Sequence, residues 1–204
     1  MELNNSSKLP FVLLGIYVIF CALLAINPIE RATWWVENAT VWIIVATIIV
    51  LYIRGIRFSN TSYCMMAVLI FLHTIGGHYT FAKVPFDFIT NLFGFQRDHF
   101  DRIAHFSVGF YAYPVAEWIY TKRLVANRFL LWTYPVFVIA TVAMSYEVIE
   151  WIYAANANPE AGAAYLGSQG DIWDAQKDML ADTLGAIVAT TFALMKLPKR
   201  EEGV

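Results

Sequence analysis

The chain has 204 residues, 59% of them hydrophobic and 15% charged, with a formal net charge of -2 and a mean hydropathy of +0.54. A soluble domain carries closer to a quarter charged residues, so the composition excludes an ordinary soluble globule. The absence of a basic excess argues against a nucleic-acid partner.

Six stretches are apolar over the roughly 17–25 residues that a helix needs to cross a hydrocarbon core. In chain order they are 9–26, 34–53, 62–81, 101–120, 129–151 and 174–195. The first has no small-x-small cleavage site at its end and is expected to be a retained helix rather than a signal peptide. Cys21 in the first span and Cys64 in the third fall toward opposite ends, too far apart for a disulfide. The last three spans each carry acidic residues near one end. The expectation is an all-α polytopic membrane protein, a single domain (1–204) of six transmembrane helices with short connections. No internal repeat is visible, so an inverted-repeat transporter gains no support.

Lys and Arg set the orientation. With a cytoplasmic N-terminus, Lys8, Arg54, Arg57, Lys122, Arg123, Arg128, Lys196, Lys199 and Arg200 lie inside, and Arg31, Lys83, Arg97, Arg102 and Lys177 outside. Both termini are therefore expected in the cytoplasm. Two longer connections face outward. Residues 82–100 hold Pro85, Gly94 and several phenylalanines, as a segment along the headgroup layer would. Residues 154–173 are rich in Ala, Gly and Asn, with turn signals at Asn158-Pro159 and Gln169-Gly170.

All four histidines and most of the acidic residues fall on that outer side. The third span brings His73 and His78. The entry to the fourth brings Asp98, His99, Asp101, Arg102 and His105. The fifth ends with Glu147 and Glu150, and the sixth begins with Asp171, Asp174, Asp178 and Asp182. At about 100° per residue, Asp171, Asp174, Asp178 and Asp182 share an arc of roughly 80°. His73 and His78 are about 140° apart, so one of the two is expected to face a common site. At 1.5 Å per residue, Asp182 lies roughly 12 Å below Asp174. The expected shape is an outward-facing polar cavity between helices three to six, with Asp182 and His73 near its floor and Arg102 its one arginine.

A charged carboxylate near a helix centre costs roughly 2.5–3.5 kcal/mol. Four together reach on the order of 10 kcal/mol, comparable with a domain's whole stability. They are therefore hydrated, protonated, paired or ligating. Mixed His and carboxylate ligands suit Zn or Mn, and carboxylates alone suit Mg. The metal reading takes one divalent ion, with His73, His78, Asp101, His105, Asp171, Asp174, Asp178 and Asp182 as candidate ligands. Glu147 or Glu150 is then the general base, and Arg102 holds an anionic headgroup. Gln169 and Gln176 are candidate substrate contacts. Such a site would act on or bind a lipid or cell-envelope precursor among the membrane lipids. Two alternatives stand beside it. One is a hydrogen-bond and ion-pair network clamping the helices, with Asp101 and Asp174 as N-caps. The other is a proton or ion path, which the sparse inner halves of helices three to six disfavour. Glu117, beside Lys122 at the inner end of the fourth span, is expected to form an ion pair at the rim. The sequence has no His-Glu-x-x-His motif, Gly-x-Ser-x-Gly elbow or Walker loop.

Four segments carry a family resemblance: Leu72-His-Thr-Ile-Gly-Gly-His-Tyr79, Asp98-His-Phe-Asp-Arg-Ile-Ala-His-Phe106, Tyr146-Glu-Val-Ile-Glu-Trp151 and Gln169-Gly-Asp-Ile-Trp-Asp-Ala-Gln-Lys-Asp178. With them, the chain resembles the YjdF-like family of bacterial inner-membrane proteins along its full length. More remotely it is similar to VanZ-like membrane proteins, through Asp101 and His105, Glu147 or Glu150, and Asp178 or Asp182 followed by Gly185. That pattern's usual Asn is replaced here by Thr183-Leu184. The resemblance implies a multi-pass inner-membrane fold and no particular reaction.

Overall fold

A computed structural model describes residues 7–198, except Ala126, Asn158 and Gly167. The expected turn at Asn158, the Gly167 position, and the basic Lys199 and Arg200 lie outside the described residues. Among those described, the fold is all-α. The helices are α1 (Leu9–Leu24), α2 (Arg31–Ile53), α3 (Asn60–Tyr79), α4 (Asp87–Phe93), α5 (Phe100–Val108), α6 (Ala112–Thr121), α7 (Arg128–Asn156), α8 (Pro159–Leu166) and α9 (Asp174–Lys196). A 3₁₀ turn, Gly109–Tyr111, joins α5 to α6. By length and composition, α2, α7 and α9 can cross a membrane, and α1 is a shorter apolar helix.

The fourth expected span is broken rather than straight. Pro114 has no N–H to give the Phe110 carbonyl, so the chain tightens into 3₁₀ geometry one turn earlier. The two longer connections are partly helical. In α4, Phe88, Leu92 and Phe93 are turned outward and exposed. The Ala-rich stretch read as loop forms α8, because alanine is the best helix former and Pro159 is tolerated at a first helical position.

Helix α9 is the centre of the bundle, packed on α5, the 3₁₀ turn, α6 and α7, while α1, α2 and α5 pack on α3. Its contact face is small: Gly185, Ala186, Ala189 and Ala193 are buried. Small residues let helix backbones approach closely where lipid offers no hydrophobic drive between them. A Cβ on Gly185 would meet the Phe106 carbonyl oxygen, and one on Gly109 would meet the Ala186 nitrogen. A second close crossing joins α2 to α3, where a Cβ on Gly77 would stand 3.0 Å from the Glu37 side chain. These two crossings fix where the acidic residues of α9 and α2 come to rest.

At the opposite end, Glu117 is 2% exposed. The expected ion pair with Lys122 is replaced by a cap. Glu117 accepts from the Ser59 N–H and Ser59 Oγ, each at 2.7 Å, and from Ser62 Oγ. Ser59 is the N-cap of α3, where backbone N–H groups lack helical partners and a carboxylate is favoured.

Candidate metal centre

Asp174, Asp178 and Asp182 recur one turn apart on α9 and are 8%, 4% and 1% exposed. They face Asp101, Arg102 and His105 of α5. The upper part of this row is a cation-filled network. Arg102 bonds Asp174 and Asp178 through two nitrogens. Arg97, absent from the site expected on sequence, reaches Asp174 at 2.7 Å and Asp171 at 3.3 Å. Lys177 adds a 2.6 Å contact to Asp171. Asp171 and Asp174 are thus held by arginine and lysine rather than gathered around an open position.

Asp101 and Asp174 are not the N-caps, which are His99 and Trp173 and make no side-chain cap hydrogen bond. In the turns that lead into the two helices, Asp98 Oδ1 accepts from the Phe100 N–H at 2.7 Å and Asp171 Oδ1 from the Trp173 N–H at 3.1 Å. Asp171 precedes α9, and its carboxyl is held below the ordinary range, first by the Lys177 hydrogen bond and then by the Trp173 amide. Burial pushes the Asp98 carboxyl up and the neighbouring His99 imidazole down.

The lower part of the row is different. His105 Nδ1 lies 3.2 and 3.3 Å from the two Asp182 oxygens. Its Nε2 is 3.6 Å from Asp101 Oδ1 and 3.6 Å from Asp178 Oδ1. One ligand atom from each of Asp101, His105 and Asp178 lies within 4.8 Å of the others. Donor atoms about 2.1 Å from a tetrahedral ion stand roughly 3.4 Å apart, and the two 3.6 Å contacts of His105 Nε2 are near that spacing. Asp182 supplies the second partner that metal-bound histidines use to fix ring and tautomer.

This group opens on a cavity of about 130 Å³ whose lining includes Asp101, His105, Asp178, Asp182, Glu150, Tyr146 and Tyr165. That is room for a few waters at about 30 Å³ each. Across the cavity, His73 Nε2 lies 2.9 Å from Glu37 Oε2. Glu37 is 2% exposed and was missed in the sequence. The signal was available, because an acidic residue three positions past Trp34 inside an apolar helix needs a partner. Glu147 does not line this cavity, and its Oε1 makes no hydrogen bond among the described residues.

Other candidates are placed elsewhere. His78 Nδ1 is 2.7 Å from the Leu24 carbonyl, so this histidine ties α3 to α1. Gln169 exchanges two 3.1 Å hydrogen bonds with the Asp98 backbone, from a turn in which Gln169 and Gly170 have φ 50° and 84°. It straps the two longer connections together. Gln176 is exposed. Arg102 is committed to carboxylates rather than turned toward an anionic headgroup.

The chain matches the family described as "Predicted membrane protein (DUF2238)" over residues 9–199. It is 34% identical over 194 residues to "Inner membrane protein YjdF" of Escherichia coli (strain K12), covering 92% of this chain and 87% of that protein. No solved structure matches. The chain therefore belongs to this family of multi-pass membrane proteins.

Proposed function

We propose that this family member is a six-span protein of the bacterial inner membrane that holds a divalent cation on Asp101, His105 and Asp178 and acts on a lipid or cell-envelope precursor at the outer leaflet. The spans are α1, α2, α3, the α5–α6 run, α7 and α9. Both termini are cytoplasmic, which the distribution of Lys and Arg supports. The similarity to a protein described as inner-membrane supports the location. The observation that carries the metal reading is the Asp182–His105 pair, which leaves Nε2 between two carboxylate oxygens at 3.6 Å. His with two carboxylates suits Zn or Mn better than Mg.

A bound cation lowers the pKa of water toward neutrality and polarises a phosphoryl or carbonyl oxygen. The chain's own residues do the rest. Glu150, which lines the same cavity, would take the proton. The His73–Glu37 pair forms a second polar wall, and Arg102 holds Asp178 and Asp174 in register. Val142, Val108 and Leu69 make part of the remaining wall apolar.

A second reading is a scaffold in which the charged row only clamps helices. The arginines on Asp171, Asp174 and Asp178 favour it. Elemental analysis of the purified protein, combined with mass spectrometry of co-purified lipids, separates the two. The metal reading expects one divalent ion per chain, lost in folded Asp101→Asn and His105→Ala variants. No ion in the folded wild-type protein, including after incubation with Zn²⁺ or Mn²⁺, leaves the scaffold.

A further inference from the structure

The end of the bundle away from the acidic cavity carries a second hollow of about 370 Å³ between α1, α2 and α3. Its walls include Leu14 and Tyr17 of α1, Val45 and Ile49 of α2, and Ala67 and Ile70 of α3. It exists because α1 leans on α3 rather than on α2. The Phe11 and Tyr52 rings, 5.3 Å apart edge to face, bridge α1 and α2 near its mouth. The α3 wall runs from Tyr63 to Phe71, roughly 12 Å at 1.5 Å per residue. Half of a hydrocarbon core is about 15 Å. The groove therefore spans most of one leaflet's acyl region.

Its mouth is basic. Lys8 sits two residues before Pro10, and Arg54 follows Ile53, both exposed. Arg57 stacks 3.5 Å above the Tyr52 ring and donates to the Tyr52 carbonyl. Ser7, bonded to Asn60 at 2.7 Å, keeps this end of α1 beside α3. The nearby carboxylate of Glu117 is buried and taken by Ser59 and Ser62, and among the described residues it forms no ion pair with these cations.

We propose that this groove is a lipid site: it takes one acyl chain of an anionic phospholipid from the leaflet at that end, with the phosphate among Lys8, Arg54 and Arg57. An apolar void does not fill with water, and a membrane offers hydrocarbon. The basic mouth selects the headgroup, since anionic lipids attract Lys and Arg at the membrane surface. The site rests on the membrane-spanning reading and is independent of the cation centre.

The test is native mass spectrometry of the delipidated full chain titrated with phosphatidylglycerol or phosphatidylcholine of identical acyl chains. The expected result is one retained phosphatidylglycerol per chain, with a preference of roughly tenfold over phosphatidylcholine. Ala67→Trp, which fills the groove, abolishes retention, and Leu14→Trp does the same from the opposite wall should the first variant unfold. Lys8→Gln with Arg54→Gln keeps one lipid but equalises the two headgroups. Equal, unsaturating binding of both lipids overturns the proposal, as does unchanged retention in the folded Trp variants. A Trp variant that splits a dimer without changing lipid retention assigns the groove to a second copy instead and also overturns it.

Discussion

Gly185 of α9 lies against the Phe106 carbonyl of α5, so close that a Cβ would clash with that oxygen. This backbone contact is one turn from the Asp182–His105 pair and sets its spacing. Gly185→Ala must part the two helices, because the obstacle is backbone. Overpacking of this kind costs roughly 1–3 kcal/mol. Thermal unfolding in detergent should show that loss, together with weakened cation binding. A wild-type melting temperature would mean that the helices have room to spare.

Arg102 bonds both Asp174 and Asp178. Arg102→Ala leaves two buried carboxylates short of a partner, and breaking such pairs costs about 3–5 kcal/mol. Arg102→Lys should recover only part of this, since an ammonium lacks the guanidinium fork that spans two acceptors. Denaturation of the three proteins in one detergent checks the order wild type, Lys, Ala.

The Asp171 carboxyl is depressed by Lys177 and the Trp173 amide. A depressed acid contributes its full stabilisation above the unfolded value near 3.9 and loses it as pH falls through the lower folded value. The 168–173 connection should therefore stay docked at pH 5 and loosen only below the ordinary carboxylate range. Lys177→Ala should move that loosening to higher pH. Hydrogen exchange at the Trp173 amide, corrected for intrinsic rate, follows it directly.

Glu117 caps α3 through Ser59 and Ser62. Glu117→Ala leaves the buried Ser62 hydroxyl and the half-buried Ser59 N–H without their acceptor, a loss of about 1–3 kcal/mol. Glu117→Gln retains an acceptor oxygen and should cost less. Calorimetry of both variants tests the order.

The long helices were legible because hydropathy over about 20 residues reports lipid exposure whatever the tertiary contacts. The stripe Asp174, Asp178 and Asp182 was legible because helical period alone puts those residues on one face. The division of labour within it was not. Whether an aspartate meets Arg97, Arg102 or His105 depends on the glycine crossings, which no local pattern in α9 announces. Glu37 escaped for a related reason: it sits in a span that reads as apolar, and its partner His73 is 36 residues away. The break near Pro114 and helix α8 were hidden by competing signals, a proline inside an apolar run and alanines among glycines.

Zinc titration of the metal-free protein and its Asp182→Asn variant by calorimetry tests the cation centre most directly. One Zn²⁺ should bind per chain, with affinity falling roughly 10–100-fold in Asp182→Asn, the usual effect of losing an orienting outer partner. Binding should vanish in His105→Ala and persist in His78→Ala. A folded wild-type protein without saturable Zn²⁺ binding, or a His105→Ala variant that binds as tightly as wild type, would contradict the assignment.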